Sequence, residues 1–369
     1  MASIQRRPDG RWRARYRDES GREHSAHRRR KIDAQRWLDE KTADIVTGNY
    51  IDPAAARTTF AQHYSRWAPR QIWVPGTRAA MDLAAGSVTF ADIPLGRLRQ
   101  SHVEQWVKGM QGRGLAPGTI KTRVVNVRSV LRAAVRDRLL AYDPAEQVAL
   151  PRLRRADAAM HMPAAEDVGA LINASDPRFR SFIALGAFAA LRLGEVCGLQ
   201  VSDVDFLRRT VRVSRQIQRV KGSFEVRAPK YGSERTVFLP DALLAMIASH
   251  VAAYRPGDDP RRWMFEGEPG RPLHQNTAAY WWRRAKQTAG VQDVRFHDLR
   301  HFAASGMIAA GCDVVTVQRA LGHARATTTL TVYAHLWPTA EDRTRQAVTS
   351  MMESALQIPA DSLRTNKSY

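Results

Sequence analysis

The rhythm of apolar and polar positions changes twice along the chain, and the changes separate three blocks. RWRARYR, residues 11–17, alternates strictly, so Trp12, Ala14 and Tyr16 fall on one face of a strand and Arg11, Arg13, Arg15 and Arg17 on the other. PDG before it and DESG after it are turn chemistry, which predicts a small sheet with a cationic face. From Ile32 to Thr47 the spacing becomes helical, and Gly48 with Asp52-Pro53 predicts a linker. Thr58 to Val148 contains no convincing alternating run and predicts helices throughout. In the helix after APGT, Val124, Val127, Leu131 and Val135 face a core, while Arg128, Arg132 and Arg136 make a four-spaced stripe outside.

The third block, from about Met162 to Ala355, mixes helix and strand. Arg178 to Leu199 predicts a helix with Phe182, Leu185, Ala189 and Leu193 as its apolar positions. TVRVS, FEVRAP and RTVFLP predict short strands, and KYGSE between two of them a hairpin loop presenting Lys230. In RFHDLRHFAASGMIAAG, residues 295–311, Leu299, Phe302, Ala303, Gly306 and Ala310 form a helical stripe that Gly311 ends, with His297 and Arg300 projecting off it. The expected fold class is multidomain α+β. A small N-terminal β-sheet domain spans residues 1–50, an all-α domain 55–150, and a mixed, mainly α domain with a small antiparallel sheet 160–355. ALPRLRRADAAMHMP, 149–163, reads as a basic connection carrying Arg152, Arg154 and Arg155, and the last dozen residues as a frayed tail.

Composition sharpens this picture. The 57 Lys and Arg against 36 Asp and Glu leave a formal charge of +21, with a pI near 10.8, a surface that attracts polyanions. The excess is clustered: eleven basic residues against four acidic ones in residues 1–31, and thirteen against four between Arg97 and Arg155. A charge run is often only a solvated face, and an arginine-rich edge strand can serve merely to block aggregation. Surfaces that need only solubility tend to mix signs, so the imbalance favours phosphate contacts by Arg11, Arg13, Arg15, Arg17, Arg128, Arg132, Arg136, Arg152, Arg154 and Arg155. At 44% hydrophobic residues the chain has ample core material and is not a disordered basic tail. MASIQRRPDGRW lacks a signal-peptide core, and the longest apolar run, FIALGAFAAL, is too short to span a bilayer, so a cytoplasmic, nucleoid-associated protein is expected. Cys197 and Cys312, both among small or apolar neighbours, suit buried thiols in a reducing compartment.

His297 and His301 lie one turn apart and raise a metal reading. A zinc-protease motif wants HExxH with both histidines neutral, whereas here Asp298 holds the glutamate position and the permanent cation Arg300 lies within the motif. No third ligand is visible nearby, so the stretch reads better as a grip on an anion, with His301 packing or hydrogen bonding.

ALRLGEVCGL, KYGSERTVFLP, HDLRH, LGHA and TLTVYAHL occur in that order, and together they resemble the tyrosine recombinase or phage integrase family, also called lambda-integrase-like. The match covers the third block; the helical block resembles the family's core-site-binding domain and the first block its arm-site-binding domain by charge, length and order. The resemblance implies a site-specific DNA recombinase that cuts and rejoins DNA through a 3′-phosphotyrosyl intermediate to integrate or excise a mobile element. Such chemistry needs a nucleophile, cations for the non-bridging oxygens and an acid for the leaving oxygen. By resemblance Tyr333 is the nucleophile, Arg192 and Arg300 clamp the phosphate with planar forks, His297 carries the phenol proton, Lys230 protonates the departing 5′ oxygen, His323 donates to the phosphate, and Glu195 orients an arginine. No metal, nucleotide or other cofactor is implied.

The same resemblance implies double-stranded DNA attachment sites as substrate, a homotetramer on synapsed DNA, a DNA-bending host factor and an excisionase as partners, and no membrane. Two other readings carry related features: a type IB topoisomerase acting as a monomer, and a catalytically inactive DNA-binding regulator on the same fold. The N-terminal module and helical block speak against the first, and the intact set Arg192, Lys230, His297, Arg300, His323 and Tyr333 against the second. Two departures from the family pattern stand out. HDLRHFAASG lacks the threonine common after HxLRH, and AALRLGE replaces the frequent TGLRxGE.

Overall fold

The computed structural model describes residues 2–18, 21–47, 50–152, 162–220, 223–337 and 340–356, and the chain divides into two compact units, Met1–Ala158 and Ala159–Tyr369. Arg154, Arg155 and the C-terminal dozen lie outside the described residues. Among the described residues, no helix is long and apolar enough to cross a membrane.

The first unit contains two separate cores. β1 (Ser3–Arg6), β2 (Trp12–Arg17) and β3 (Glu23–Arg28) form an antiparallel meander in which Ala14 pairs with Ile4 on one side and Ala26 on the other. Alternation along β2 turns Ala14 and Tyr16 inward, as the sequence predicts, onto Ala34 and Leu38 of α1 (Lys31–Val46). The second core gathers α2 (Phe60–Trp67), α3 (Pro75–Ala85), α4 (Gln100–Gly112) and α5 (Pro117–Arg136). Pro75 and Pro117 open their helices, where a missing N–H has no intrahelical partner to lose. Val124, Val127 and Leu131 are buried and Val135 half-buried, the face the spacing predicts.

The second unit is mainly helical, with two small antiparallel sheets. Its elements are α6 (Ala165–Ala174), α7 (Pro177–Phe188), α8 (Leu193–Cys197), β4 (Val204–Asp205), β5 (Thr210–Val213), β6 (Gln216–Val220), β7 (Ser223–Arg227), β8 (Arg235–Phe238), α9 (Asp241–Tyr254), α10 (Gln275–Ala289), α11 (Asp298–Ala309), α12 (Val314–Leu321), α13 (Ala326–Tyr333) and α14 (Ala340–Leu356). One sheet runs β4-β5-β8 and the other pairs β6 with β7. KYGSE is therefore not a hairpin loop: the strands on either side of it belong to different sheets, and Lys230–Gly232 forms a single tight turn in the crossing. Pairing β8 with β5 sets Val237 against Val211, burying both, which a local β7–β8 hairpin would forgo.

Two further differences shape the site. The Arg178–Leu199 helix is interrupted between Phe188 and Leu193, where Ala190 adopts φ +55°, the left-handed conformation that ordinarily stops a helix. In α11 the buried side is Leu299, Ala304 and Ile308 together with Arg300, while Gly306 and Ala310 are exposed. This helix serves two cores at once: Leu299 joins the large one around Phe182, and Ala304 and Ile308 join a small one with Ala190, Val317, Leu321 and Tyr333.

Candidate active site

Three arginines converge on the C-terminal end of α12. Arg235 Nε donates to the Ala320 carbonyl at 2.9 Å, Arg300 Nη2 donates to the Leu321 carbonyl, and Arg192 Nη2 donates to the Gly322 carbonyl at 3.3 Å. The last carbonyls of a helix have no intrahelical donor and carry the negative end of its dipole, so this terminus is a natural seat for cations. The turn that presents them depends on Gly322, at φ +61°, where an added Cβ would stand 2.9 Å from the Arg235 side chain.

Among the described residues, Glu195 is the one carboxylate paired with this group. Its Oε1 accepts from Arg192 Nη1 at 2.7 Å, Arg235 donates to both of its oxygens at 3.2 and 2.9 Å, and its Oε2 also takes the Arg192 backbone N–H at 2.9 Å. Burial pushes its carboxyl up, but the hydrogen bond and charge of Arg235 and the charge of Arg192 outweigh that, leaving it below the usual range. The short α8 that carries Glu195 lies against β6 so closely that a Cβ on Gly194 would meet the Ile217 carbonyl at 2.8 Å. Three guanidiniums with one carboxylate leave a surplus of positive charge. Burial, and then Arg192 and Arg235, depress the Arg300 guanidinium, which is only 2% exposed. Each guanidinium has five N–H donors, and the contacts above and the Arg300 bond to Ala190 use two on Arg192 and two on Arg300.

Arg192 and Arg300 both line a cavity of about 380 Å³, together with His297, His301, His323, Arg325, Thr328 and Tyr333. Five expected residues, Arg192, His297, Arg300, His323 and Tyr333, thus come together around one space. Tyr333 is buried, its hydroxyl 2.7 Å from His301 Nδ1. Burial raises its phenol, and the charges of Arg300 and Arg192 draw it back without cancelling the rise. His323 Nδ1 lies 2.9 Å from the hydroxyl of the fully buried Thr329. Burial, then Arg300, Arg192 and Arg235, hold His323 down to about 4. His297 is crowded on its inner side, and that burial, then His301, Arg300 and Arg192, hold it also to about 4, although its outer edge is open to solvent.

His297 and His301 rings stand perpendicular with centroids 5.1 Å apart, and His301 spends Nδ1 on Tyr333. Among the described residues, no group of three or more His, Cys, Asp or Glu is gathered for a metal ion. Lys230 does not line the cavity; it is exposed on its turn after β7. Cys197 is buried, which raises its thiol to about 12. What the arrangement can do chemically is hold a tetrahedral anion against two guanidinium forks, with an imidazole and a phenol facing it.

The expected DNA-contact arginines sit in mixed surroundings. Arg13, Arg15 and Arg17 all lie within 4 Å of the one carboxylate of Glu23, at 3.4, 3.9 and 3.6 Å, so that face keeps a net positive charge. Arg11 and Arg152 are exposed, and so is Arg136. Arg128 and Arg132 share Asp143, at 3.3 and 3.6 Å.

Three participants escape the sequence pattern. Arg235 carries a signal: in β8 it shares the inward face with Val237, and a charged residue at an inward position calls for a buried partner. Thr329 carries none, and His301, expected only to pack or hydrogen bond, is given no partner by the sequence. Both acquire their roles only through contacts between α11, α13 and the LGHA turn.

Over residues 162–339 the chain matches the family described as "Phage integrase family", and over residues 2–47 the one described as "Phage integrase, N-terminal domain". It is 31% identical to the tyrosine recombinase XerC of Mycobacterium bovis over 261 residues, covering 66% of this chain and 80% of that protein. A prophage phiRv2 integrase of Mycobacterium tuberculosis is 26% identical over 334 residues, 86% of this chain and 87% of the relative. Among solved structures, the Tn1549 transposon integrase in complex with a circular intermediate DNA aligns with a TM-score of 0.66 at 18% identity, covering 80% of this chain and 99% of that one. A lambda integrase tetramer bound to a Holliday junction aligns at a TM-score of 0.56 and 15% identity, over 88% and 94%. Both share the mixed fold of many helices with small antiparallel sheets. The family matches and the identity to XerC establish that this chain belongs to the tyrosine recombinase family of phage integrases and is a site-specific enzyme of DNA breakage and rejoining.

Proposed function

We propose that the chain is an integrase that moves a mobile element between DNA attachment sites, with Tyr333 as nucleophile and Arg192 and Arg300 as the clamp on the scissile phosphate. The observation that carries this reading is the convergence of both guanidiniums, His323 and Tyr333 on one cavity at the end of α12. Guanidiniums fixed in advance by carbonyls and Glu195 need no reorganisation when charge builds on the phosphoryl oxygens, which is where such sites gain most of their rate. His323, held neutral and tethered by Thr329 through Nδ1, has Nε2 left to donate to the same group. Attack by the phenol oxygen leaves a 3′-phosphotyrosyl link and a free 5′ hydroxyl, which receives its proton from Lys230. The linkage keeps the bond energy for rejoining, so no nucleotide is consumed.

Lys230 reaches the site only if its exposed turn moves or DNA brings the leaving oxygen to it. The arm, core and catalytic roles fall to residues 1–50, 55–150 and 160–355, with the arginine face of β2 on arm DNA and the α5 arginines with Arg152 on core DNA. The active assembly is a homotetramer on synapsed sites, aided by a DNA-bending host factor and an excisionase. Relatives that are integrases, and neighbours solved on DNA, support this assignment by kinship.

A nicked suicide substrate tests it. The full chain should trap a covalent adduct on attachment-site DNA, and Tyr333→Phe should lose the adduct while retaining DNA binding. An adduct that persists in Tyr333→Phe overturns the nucleophile. Relaxation of supercoiled DNA that lacks any attachment site, at the rate seen with two sites, would favour a topoisomerase instead.

A further inference from the structure

We infer that His301, not His297, takes the proton from the Tyr333 hydroxyl as the phenol attacks phosphorus. The inference rests on the proposed nucleophilic role of Tyr333 and adds the residue that activates it. His301 Nδ1 is 2.7 Å from Tyr333 Oη, within the reach a general base requires, whereas among the described residues no hydrogen bond joins His297 to Tyr333, and the His297 ring packs edge-on against His301 with centroids 5.1 Å apart. The two residues sit on different helices, α11 and α13, packed through a common core of Ala304, Ile308, Leu321 and Tyr333. Their distance is therefore set by packing rather than by a mobile loop.

The protonation states agree with this direction of transfer. The phenol is raised and keeps its hydrogen at neutral pH, and in the Nε2–H tautomer of His301 that hydrogen is donated from Oη to Nδ1, the arrangement the transfer uses. The groups that face His301 are Asp298, Arg295, Arg300 and His297 from its own segment and Tyr333 from α13. Burial, with Arg300 and Arg295 against the opposing pull of Asp298, lowers its imidazole, so the basic form is present across the neutral range. A phosphodiester entering between the arginines brings negative charge beside the pair. That charge screens the cations and raises the proton affinity of the ring at the moment a proton must be accepted.

The step balances without a co-reactant. The Oη–H bond breaks and its proton goes to Nδ1; the phenol oxygen bonds phosphorus; the P–O5′ bond breaks and the 5′ oxygen takes a proton from the ammonium of Lys230. On rejoining, the 5′ hydroxyl returns its proton to the Lys230 amine, and His301 returns its proton to the departing phenol oxygen.

The test is single-turnover cleavage of a nicked suicide substrate by full-length wild type, His301→Gln, His301→Ala and Lys230→Ala across pH 6 to 9, on DNA with either oxygen or sulfur at the bridging 5′ position. His301→Gln should lose about 10²-fold or more in rate with unchanged DNA binding. Its rate should climb roughly tenfold per pH unit, following the phenolate fraction, where wild type is nearly flat. The sulfur leaving group, which needs no acid, should restore Lys230→Ala and leave His301→Gln slow, and added imidazole should restore His301→Ala. A His301→Gln rate within about twofold of wild type, or a defect abolished by the sulfur leaving group, would overturn the assignment. An absence of any Tyr333-dependent adduct in wild type would instead overturn the underlying function.

Discussion

Arg300 Nη1 donates to the carbonyl oxygen of Ala190 at 2.6 Å, and Ala190 is a non-glycine residue at φ +55°. The carbonyl is aimed at the guanidinium because the left-handed residue breaks the chain direction between α7 and α8. An L-residue pays about 1–2 kcal/mol for that conformation, and glycine, frequent in the family at this place, does not. The Ala190 methyl is nevertheless buried in the small core, worth roughly 0.8 kcal/mol, and glycine would cost a further 0.4–1 kcal/mol or so in chain entropy. The terms nearly cancel. Ala190→Gly should therefore leave stability within about 1 kcal/mol of wild type and keep cleavage. Ala190→Val, whose branched Cβ cannot adopt the turn, should lose at least ~2 kcal/mol and lose cleavage together with the aim of Arg300. Urea midpoints and suicide-substrate rates for the two variants check this.

Glu195 holds the arginine group together, and removing its charge should be costly. Its side chain is 1% exposed, so Glu195→Gln leaves Arg192, Arg235 and Arg300 without a counter-charge, an effect of about 3–5 kcal/mol for a broken buried pair. Inorganic phosphate or sulfate should restore part of this in the variant, because an anion in the cavity replaces the lost charge. The pH dependence has a definite sign. Because the folded carboxyl lies below its ordinary 4.5, the contribution is complete above that value and is lost as pH falls through the folded one. Wild type should lose protection in that acid window and Glu195→Gln should lack that component, read by hydrogen exchange at amides Ser181–Leu185 of α7.

What could be read in advance divides along the range of the interaction. Arg192, Glu195, Arg300, His323 and Tyr333 stand at set steps within local motifs, and the strand RWRARYR and the helix after APGT declare themselves by period alone. Arg235 reaches Glu195 across 40 residues and Ala320 across 85, and no local pattern encodes that pairing. The misplaced hairpin has the same origin: neighbouring strands favour local pairing, but burying Val211 against Val237 joins β5 to β8 instead. His301 is visible as a residue and invisible as a partner, since only the packing of α13 on α11 brings Tyr333 to it. The apolar stripe expected in RFHDLRHFAASGMIAAG holds at Leu299, Phe302 and Ala303 but not at Gly306 and Ala310, and Arg300 goes inside instead, drawn by carbonyls that a hydrophobicity pattern does not count.

Thr329 should fix which nitrogen of His323 carries the proton. A hydroxyl that donates to Nδ1 leaves the single proton of the neutral ring on Nε2, facing the cavity. Thr329→Val removes that bond in a fully buried place and should cost about 1–3 kcal/mol, with slower cleavage, while Thr329→Ser should retain both. The ring also reports occupancy. His323 should titrate near 4 in the free protein, and inorganic phosphate in the cavity should shift the midpoint upward, since the anion opposes Arg300, Arg192 and Arg235. Histidine C2-proton shifts with and without phosphate measure the displacement; no shift would mean that phosphate does not occupy the cavity.

Asp143 sets how much of the α5 arginine stripe is available to DNA. Its carboxylate, 7% exposed, pairs with Arg128 at 3.3 Å and with Arg132 at 3.6 Å, while Arg136, at the last turn of the helix, is exposed. Arg132 is itself half open to solvent, so its pair is worth little and a phosphate can compete for it. Each phosphate contact adds about 0.9 to the slope of log affinity against log salt. Arg136→Ala and Arg132→Ala should each lower that slope by about 1, uniformly across DNA sequences, whereas Arg128→Ala should change it less and cost some folding stability, because the mostly buried Asp143 loses the nearer of its two guanidiniums and keeps only Arg132 and the Ala145 N–H. Asp143→Asn should raise affinity at low salt and steepen the slope, because it releases two guanidiniums at once. Filter-binding titrations between low and physiological salt separate these outcomes, and an Arg136→Ala slope equal to wild type would remove α5 from the DNA-facing surface.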